Sequence, residues 1–107
     1  MRLRIIIIPK GVRQMSKKEN EDKRVLLDFY SAGCAPCRRM EPVIREFAEA
    51  SDLVEVRRIE ASEAPDAFEN YGITSVPTFI YMKGGKEKGR IAGVCDRKDI
   101  ERLVSEG

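Results

Sequence analysis

Hydrophobic residues recur along this chain in two periods, one typical of β-strands and the other of α-helices. The run Val25–Tyr30 is almost continuously apolar, which predicts a strand buried on both faces of a sheet. Residues alternate in the segment Leu53–Ile59, so Val54, Val56 and Arg58 fall on one face of a second predicted strand. Both segments are short enough to be strands of one sheet.

The second half of the chain predicts a β-hairpin. Thr78–Met82 and Lys88–Ala92 are strand-like, and they flank the turn sequence Lys-Gly-Gly-Lys at 83–86. A further β-branched strand is predicted at Leu3–Ile8, where the following proline and glycine stop it.

Three helices are predicted from apolar positions three and four residues apart. The longest runs from Cys34 to about Ala50 and contains Pro42, which is expected to bend it. A short helix is predicted at Ser62–Tyr71, and Asp96 is the expected N-cap of the last one. The apolar stripe of the first helix consists of Cys37, Met40, Ile44, Phe47 and Ala48.

The order of the predicted elements indicates an α/β fold. Parallel β–α–β units followed by an antiparallel hairpin predict a central mixed sheet of four to five strands, with helices on both faces. The 107 residues are enough for one domain with its own core, so we expect a single domain over residues 1–107. Residues 12–24 carry many charges and few apolar anchors, and they predict no definite element.

The composition excludes several classes of function. With 42% hydrophobic and 36% charged residues and a net charge of +2, the chain resembles an ordinary globular protein. The charge is too small to indicate binding to nucleic acid or to a membrane. The run of four isoleucines near the start is too short for a signal-peptide core or a membrane span, so we expect a cytoplasmic protein.

The candidate chemistry lies in Cys34-Ala-Pro-Cys37, which follows a buried strand and opens a helix. Unpaired N–H groups at the start of a helix favour a thiolate at Cys34. Pro36 is tolerated in the first helical turn, and Cys37 lies one turn deeper. The chain has three cysteines and no histidine, whereas a structural zinc site usually needs four such ligands. The motif therefore indicates redox chemistry rather than architecture.

Two other residues stand out. Asp28 lies within the apolar strand, where aspartate is rare unless it is paired or used in a reaction. It is either a satisfied polar residue or a proton carrier whose pKa is raised by burial. Cys95 lies in the turn before the last helix. It is expected to be a partly buried small residue, with a regulatory oxidation site or an intermolecular disulfide as the alternatives.

Taken together, these motifs resemble the thioredoxin family over about residues 25–107. The resemblance rests on an acid in the strand before Cys-x-Pro-Cys, a proline within the following helix, a Val-Pro-Thr step, a Gly-Gly hairpin and a later glycine. In this chain they are Asp28, Cys34–Cys37, Pro42, Val76-Pro77-Thr78, Gly84-Gly85 and Gly93. The chain departs from the pattern at Gly33 and Tyr30, where the family usually has tryptophan, and at Ala35, usually glycine. Residues 1–24 match only loosely.

The resemblance implies a thioredoxin fold and a protein-disulfide reductase. Cys34 would attack a substrate disulfide and Cys37 would resolve the mixed disulfide. Asp28 would relay a proton to or from Cys37, and Arg58, where the family usually has lysine, would pair with Asp28 and oppose the rise in its pKa. An arginine extending to solvent at the sheet edge is the alternative for Arg58.

The resemblance also implies the surroundings of the thiols. Pro77 would be cis and would leave the backbone of Val76 free to pair with an extended substrate. No bound cofactor or metal is expected, because the Cys34–Cys37 disulfide is the redox centre. The expected partners are protein disulfides and a thioredoxin reductase or similar electron donor, and the expected state is a monomer. The expected substrate-binding residues are Gly33, Ala35, Pro36, Val76, Pro77 and Gly93.

Other functions stay open at this point. The Ala-Pro dipeptide does not distinguish a reductase from a glutaredoxin-like domain or a disulfide oxidase or isomerase. A non-catalytic binding module is a further alternative, as is a dimer that shares its cysteines around zinc or an iron–sulfur cluster.

Overall fold

Strand β1 lies near the centre of a four-stranded mixed sheet in the computed structural model, which describes residues 23–105. Strand β2 is parallel to β1, β3 is antiparallel to β1 on its other side, and β4 is antiparallel to β3 at the edge. The strand order β2-β1-β3-β4 is the mixed arrangement that the sequence predicts. The strands are β1 (Arg24–Tyr30), β2 (Glu55–Glu60), β3 (Thr78–Lys83) and β4 (Lys86–Ala92).

Three helices connect or follow the strands: α1 (Ala35–Ala50), α2 (Pro65–Asn70) and α3 (Arg97–Ser105). Helix α1 follows the N-cap residue Cys34 and continues past Pro42 to Ala50. Asp96 caps α3, as predicted, because its Oδ1 accepts the N–H of Asp99 at 3.0 Å and its own N–H donates to Asp99 Oδ2. Within residues 23–105, no helix is long and apolar enough to cross a membrane.

Strand β1 is buried on both faces of the sheet, which confirms the interpretation of its apolar run. One face packs against α1 and α3, and the other packs against α2. Because successive side chains of a strand point to opposite faces, β1 contributes to both clusters. The α1/α3 side includes Leu26, Met40, Ile44, Phe47, Phe79, Tyr81, Ile100 and Leu103, and the α2 side includes Val25, Leu27, Phe29, Ile80 and Phe68.

Several predicted boundaries differ from the observed ones by one to three residues; β4, for example, begins at Lys86 rather than at Lys88. Strand β2 begins at Glu55, which pairs with Val25, so Leu53 precedes the strand and is 74% exposed. Helix α2 begins at Pro65, because residues 61–64 form a turn in which the N–H groups of residues 62 and 63 donate to the carboxylate of Glu60. The predicted strand Leu3–Ile8 lies outside the described residues.

Candidate active site

The two cysteines of the motif lie at the start of α1. Their Cα atoms are 5.2 Å apart and the two sulfurs are joined as a disulfide, a Cα separation within the usual range for such a bond. Cys34 has extended backbone geometry and caps the helix, and its sulfur accepts the N–H of Cys37 at 3.1 Å. Cys34 is partly exposed, whereas Cys37 is only 3% exposed. The arrangement gives one accessible sulfur that faces a helix N–H and one sheltered sulfur.

The turn before Cys34 is anchored by Glu60 at the end of β2. One carboxylate oxygen of Glu60 accepts a hydrogen bond from the N–H of Ala32 at 3.1 Å. The other oxygen accepts hydrogen bonds from the N–H groups of residues 62 and 63 and from the Ser62 hydroxyl. These hydrogen bonds lower the pKa of Glu60. Sequence reasoning missed Glu60, although its place at the end of a parallel strand beside β1, followed closely by Ser62, is a usable signal.

The segment before β3 approaches the sulfur of Cys34, and the end of β4 is hydrogen-bonded to that segment. The Val76–Pro77 peptide bond is cis, as the resemblance implies. The carbonyl oxygen of Val76 lies 3.9 Å from Cys34 Sγ. Gly93 has a φ of 100°, which favours glycine, and its N–H donates to the Pro77 carbonyl at 2.8 Å. The fold therefore brings Cys34, Val76, Pro77 and Gly93 together.

The remaining predicted substrate-binding residues flank Cys34 in the chain. Gly33 and Ala35 are exposed, and Pro36 is half-buried in the first turn of α1. Apart from the atoms of Gly33 and its two chain neighbours, no heavy atom lies within 4 Å of where a Cβ on Gly33 would be, so this position leaves open space beside Cys34.

Asp28 lies in β1 on the side that faces α1, and it is 3% exposed. Arg58 is its partner across the parallel pair β1–β2, with Arg58 Nε 3.1 Å from Asp28 Oδ2. Burial raises the pKa of Asp28, and the Arg58 charge and hydrogen bond oppose this rise without cancelling it. The carboxyl group is therefore a stronger base than an ordinary aspartate when it is ionised.

The guanidinium of Arg58 has two further neighbours. Its central carbon lies 3.9 Å from the centre of the Tyr30 ring, and Nη2 lies 3.6 Å from Glu41 Oε2. Sequence reasoning assigned no role to Tyr30 or Glu41 at this site. Two signals were available: Tyr30 is two residues from Asp28 on the same strand face, and Glu41 is one helical turn after Cys37.

The thioredoxin family model matches residues 12–106. The chain belongs to the thioredoxin family. Thioredoxin from Alicyclobacillus acidocaldarius subsp. acidocaldarius is 41% identical over 86 residues, which cover 79% of this chain and 82% of that protein. Thioredoxin from Chlamydia caviae is 33% identical over 82 residues, covering 77% and 80%. The structure of Fasciola hepatica thioredoxin has a TM-score of 0.76 at 29% identity and covers 84% of this chain and 86% of that one.

Membership of the thioredoxin family establishes the reaction. The chain is an oxidoreductase that works by dithiol–disulfide exchange, and the Cys34–Cys37 pair supplies the two sulfurs. Members of the family act on protein disulfides. No three His, Cys, Asp or Glu side chains within residues 23–105 are grouped so that they could hold a metal ion.

The third cysteine has a different environment from the first two. Cys95 is half-buried, it packs against the α1/α3 core, and its N–H lies 3.5 Å from the sulfur of Met40. Burial, together with the negative charges of Asp99 and Asp96, raises the pKa of the Cys95 thiol to about 11. A neutral, partly covered thiol favours the interpretation of Cys95 as a packing residue.

Proposed function

We propose that the chain reduces protein disulfides, with Cys34 as the attacking thiolate and Cys37 as the resolving thiol. The observation that carries the proposal is the unequal shelter of two sulfurs that are close enough to bond. Cys37 is 3% exposed and cannot meet a folded substrate, whereas Cys34 is partly exposed and its sulfur accepts a helix N–H. That hydrogen bond stabilises the thiolate of Cys34 in the reduced protein.

The proposed reaction has two exchange steps. The Cys34 thiolate attacks one sulfur of the substrate disulfide, a mixed disulfide forms, and the first substrate thiolate leaves. The sulfur of Cys37 then attacks Cys34 and passes its proton to Asp28, and the second substrate thiolate leaves. The substrate gains two electrons, the dithiol loses two, and the Cys34–Cys37 disulfide remains. The charge of Arg58 reduces the affinity of Asp28 for this proton, because it favours the ionised carboxylate.

The substrate is proposed to dock around Cys34 in an extended conformation. The backbone of Val76 would pair with the substrate main chain, as in strand addition. The open space at Gly33 admits a substrate side chain beside Cys34. The proposed docking residues are Gly33, Ala35, Pro36, Val76, Pro77 and Gly93.

The biological setting is also part of the proposal. A thioredoxin reductase or a similar donor would return two electrons to the Cys34–Cys37 disulfide, so the chain would take part in electron transport and cell redox homeostasis. No bound cofactor is required, because the dithiol carries the electrons. The weak net charge and the family membership support a cytoplasmic monomer without nucleic-acid or membrane partners.

Trapping the mixed disulfide tests the order of the two thiols. Cys37→Ser should stop the reaction at a covalent complex between Cys34 and a disulfide-containing protein, which a reducing agent releases. Cys34→Ser, the matched control, should form no such complex. If Cys34→Ser formed the complex and Cys37→Ser did not, the assigned roles would be reversed. If neither variant lost activity, disulfide exchange through this pair would be refuted.

The reduction potential tests the direction of the reaction. Cys95→Ser protein should be used, so that only Cys34 and Cys37 contribute thiols. A potential of about −270 mV is expected for a reductase, whereas about −180 mV or above would indicate an oxidant or isomerase. A value of about −200 to −230 mV would favour a glutaredoxin-like role. Failure to form a reversible disulfide, together with stoichiometric metal in the purified protein, would favour the metal-sharing dimer.

A further inference from the structure

Glu41 of α1 and the buried Asp28 of the active site contact the same cation, the guanidinium of Arg58. The Arg58 guanidinium contacts Asp28 Oδ2 through Nε at 3.1 Å and Glu41 Oε2 through Nη2 at 3.6 Å. The Asp28 side chain is 4% exposed, whereas those of Glu41 and Arg58 are 40% and 38% exposed. One cation therefore serves two carboxylates, one buried and one at the surface.

The aromatic ring of Tyr30 holds this cation in position. The guanidinium carbon of Arg58 lies 3.9 Å from the centre of the ring, within the range of a cation–π contact. Arg58 and Tyr30 extend from neighbouring strands on the face of the sheet that also bears Asp28. Because this stacking does not depend on Glu41, Arg58 should keep its place when the charge of Glu41 is removed.

The charged groups around Asp28 come from two elements. Strand β2 contributes Arg58 and helix α1 contributes Glu41, whereas the partner of Asp28 on β3 is the uncharged Phe79. Glu41 also acts directly, because its negative charge raises the pKa of Asp28. Helix α3 packs on the same face. Its residue Arg97 pairs with Glu46 and Glu101, Asp99 pairs with Arg102, and Lys98 is exposed.

The Glu41–Arg58 pair also lies where solvent meets the site. Both side chains line a cleft of about 290 Å³ between α1 and β2, together with the cation Arg45 and the apolar residues Ile44, Ala48 and Val56. Asp28 is more deeply buried than either member of the pair. Glu41 therefore contacts Arg58 from the solvent-exposed side, whereas Asp28 contacts the same guanidinium from the buried side.

We infer that Glu41 is a positioning residue for disulfide exchange: by sharing the Arg58 guanidinium, it keeps Asp28 able to take up and return the proton of Cys37. The inference rests on the proposed role of Asp28 as the proton carrier. Both effects of Glu41 have the same sign. Its charge directly favours protonation of Asp28, and its contact with Arg58 reduces how strongly that cation favours the ionised form. Without Glu41, Asp28 becomes a weaker base.

The resolving step can be measured alone. The Cys34 thiolate of reduced Cys95→Ser protein attacks 5,5′-dithiobis(2-nitrobenzoate): one coloured thionitrobenzoate leaves in a step whose rate depends on the reagent concentration, and the other stays bonded to Cys34. Attack by Cys37 then releases the second coloured thiolate in a first-order step that does not depend on the reagent concentration, and this step is followed from about pH 4 to pH 9 by stopped flow. Glu41→Gln should move the acid limb of this profile to lower pH. It should also slow release at neutral pH by about two- to fivefold, the range expected for an exposed charge pair.

Two further variants make the result specific. Glu49→Gln removes the same charge from an exposed position on the same helix and should leave the profile unchanged. Asp28→Asn should remove the proton acceptor, and adding Glu41→Gln to it should change nothing further. If Glu41→Gln had no effect, or had its full effect in the Asp28→Asn protein, the inference about Glu41 would be overturned.

The same measurements separate this inference from the proposed function. If Asp28→Asn left the resolving rate and its pH profile unchanged, the proton-carrier role of Asp28 would fail, and the inference about Glu41 would fail with it. The roles of Cys34 and Cys37 are tested independently by the mixed-disulfide trap.

Discussion

Replacing Arg58 by methionine should destabilise the fold in a manner that depends on pH. Methionine keeps an unbranched apolar side chain but removes the guanidinium that lies 3.1 Å from the buried carboxylate of Asp28 and 3.9 Å from the ring centre of Tyr30. The variant therefore leaves a nearly inaccessible acid without its cation. Its effect on stability has an ionic part and a stacking part, and only the first depends on the charge of Asp28.

The magnitude follows from the exposure of the two partners. Removing one partner of a fully buried ion pair costs about 3–5 kcal/mol, and an exposed pair contributes about 0.2–1 kcal/mol. The pair lies between these cases, because the Asp28 side chain is 4% exposed and that of Arg58 is 38% exposed. Allowing for solvent screening of Arg58, we expect an ionic loss of about 1.5–2 kcal/mol. Lost stacking on Tyr30 adds about 0.5–1 kcal/mol.

The direction of the pH dependence follows from the raised pKa of Asp28. An acid whose pKa is higher in the folded state favours folding at low pH, and this advantage is lost as pH rises through the folded-state pKa. Arg58→Met raises the pKa of Asp28 further, since burial is then unopposed. Near pH 3.8, the ordinary pKa of aspartate, the unfolding free energies of the parent and the variant should therefore differ mainly by the stacking part. At pH 8 they should differ by the ionic and stacking parts together.

The assay is urea unfolding of the oxidised protein at pH 4 and pH 8. Far-UV circular dichroism is the suitable signal, because the chain has no tryptophan. We expect a loss of about 2–3 kcal/mol at pH 8 and about 0.5–1 kcal/mol at pH 4 or in an Asp28→Asn background. Arg57→Met is the matched control, because Arg57 pairs with Glu55 and both side chains are about half exposed. It should change stability by less than about 0.5 kcal/mol. Equal losses for Arg58→Met at both pH values and in both backgrounds would refute the reasoning.

Two further predictions concern the third thiol and the hydrogen bonds of Arg24, one of which reaches the last helix. Cys95 of the folded, oxidised protein should react with iodoacetamide at pH 8 at least about tenfold more slowly than in urea, because burial raises its pKa to about 11; equal rates, followed by mass spectrometry, would show that the thiol is not protected. Arg24 donates to the Tyr81 hydroxyl and to the Val104 carbonyl, each at 2.7 Å. Arg24→Met should therefore cost about 2–3 kcal/mol and Tyr81→Phe only about 1 kcal/mol, because the first leaves two acceptors unpaired. Equal unfolding free energies for these two variants would contradict this assignment.

Much of the fold could be predicted because its signals are local. The apolar run of β1, the Gly-Gly turn between β3 and β4 and the cap at Asp96 each depend on residues a few positions apart. Boundaries were less certain where a side chain competed with the regular pattern. The carboxylate of Glu60 takes up the N–H groups of residues 62 and 63, and helix α2 consequently begins at Pro65 rather than at Ser62.

The sequence alone determined the reagent: two cysteines at the start of a helix, one accessible and one a turn deeper, with an acid in the preceding strand. These features follow from helix periodicity and from the properties of helix ends. The family resemblance already implied that Arg58 pairs with Asp28, and the structure confirms that pair; only the tertiary structure showed how the pair forms and which other residues contact the cation. The register of β1 against β2 sets Arg58 opposite Asp28, thirty positions away along the chain, and the packing of α1 brings Glu41 to the same guanidinium. Contacts between elements so far apart depend on strand register and helix placement, which no local pattern fixes.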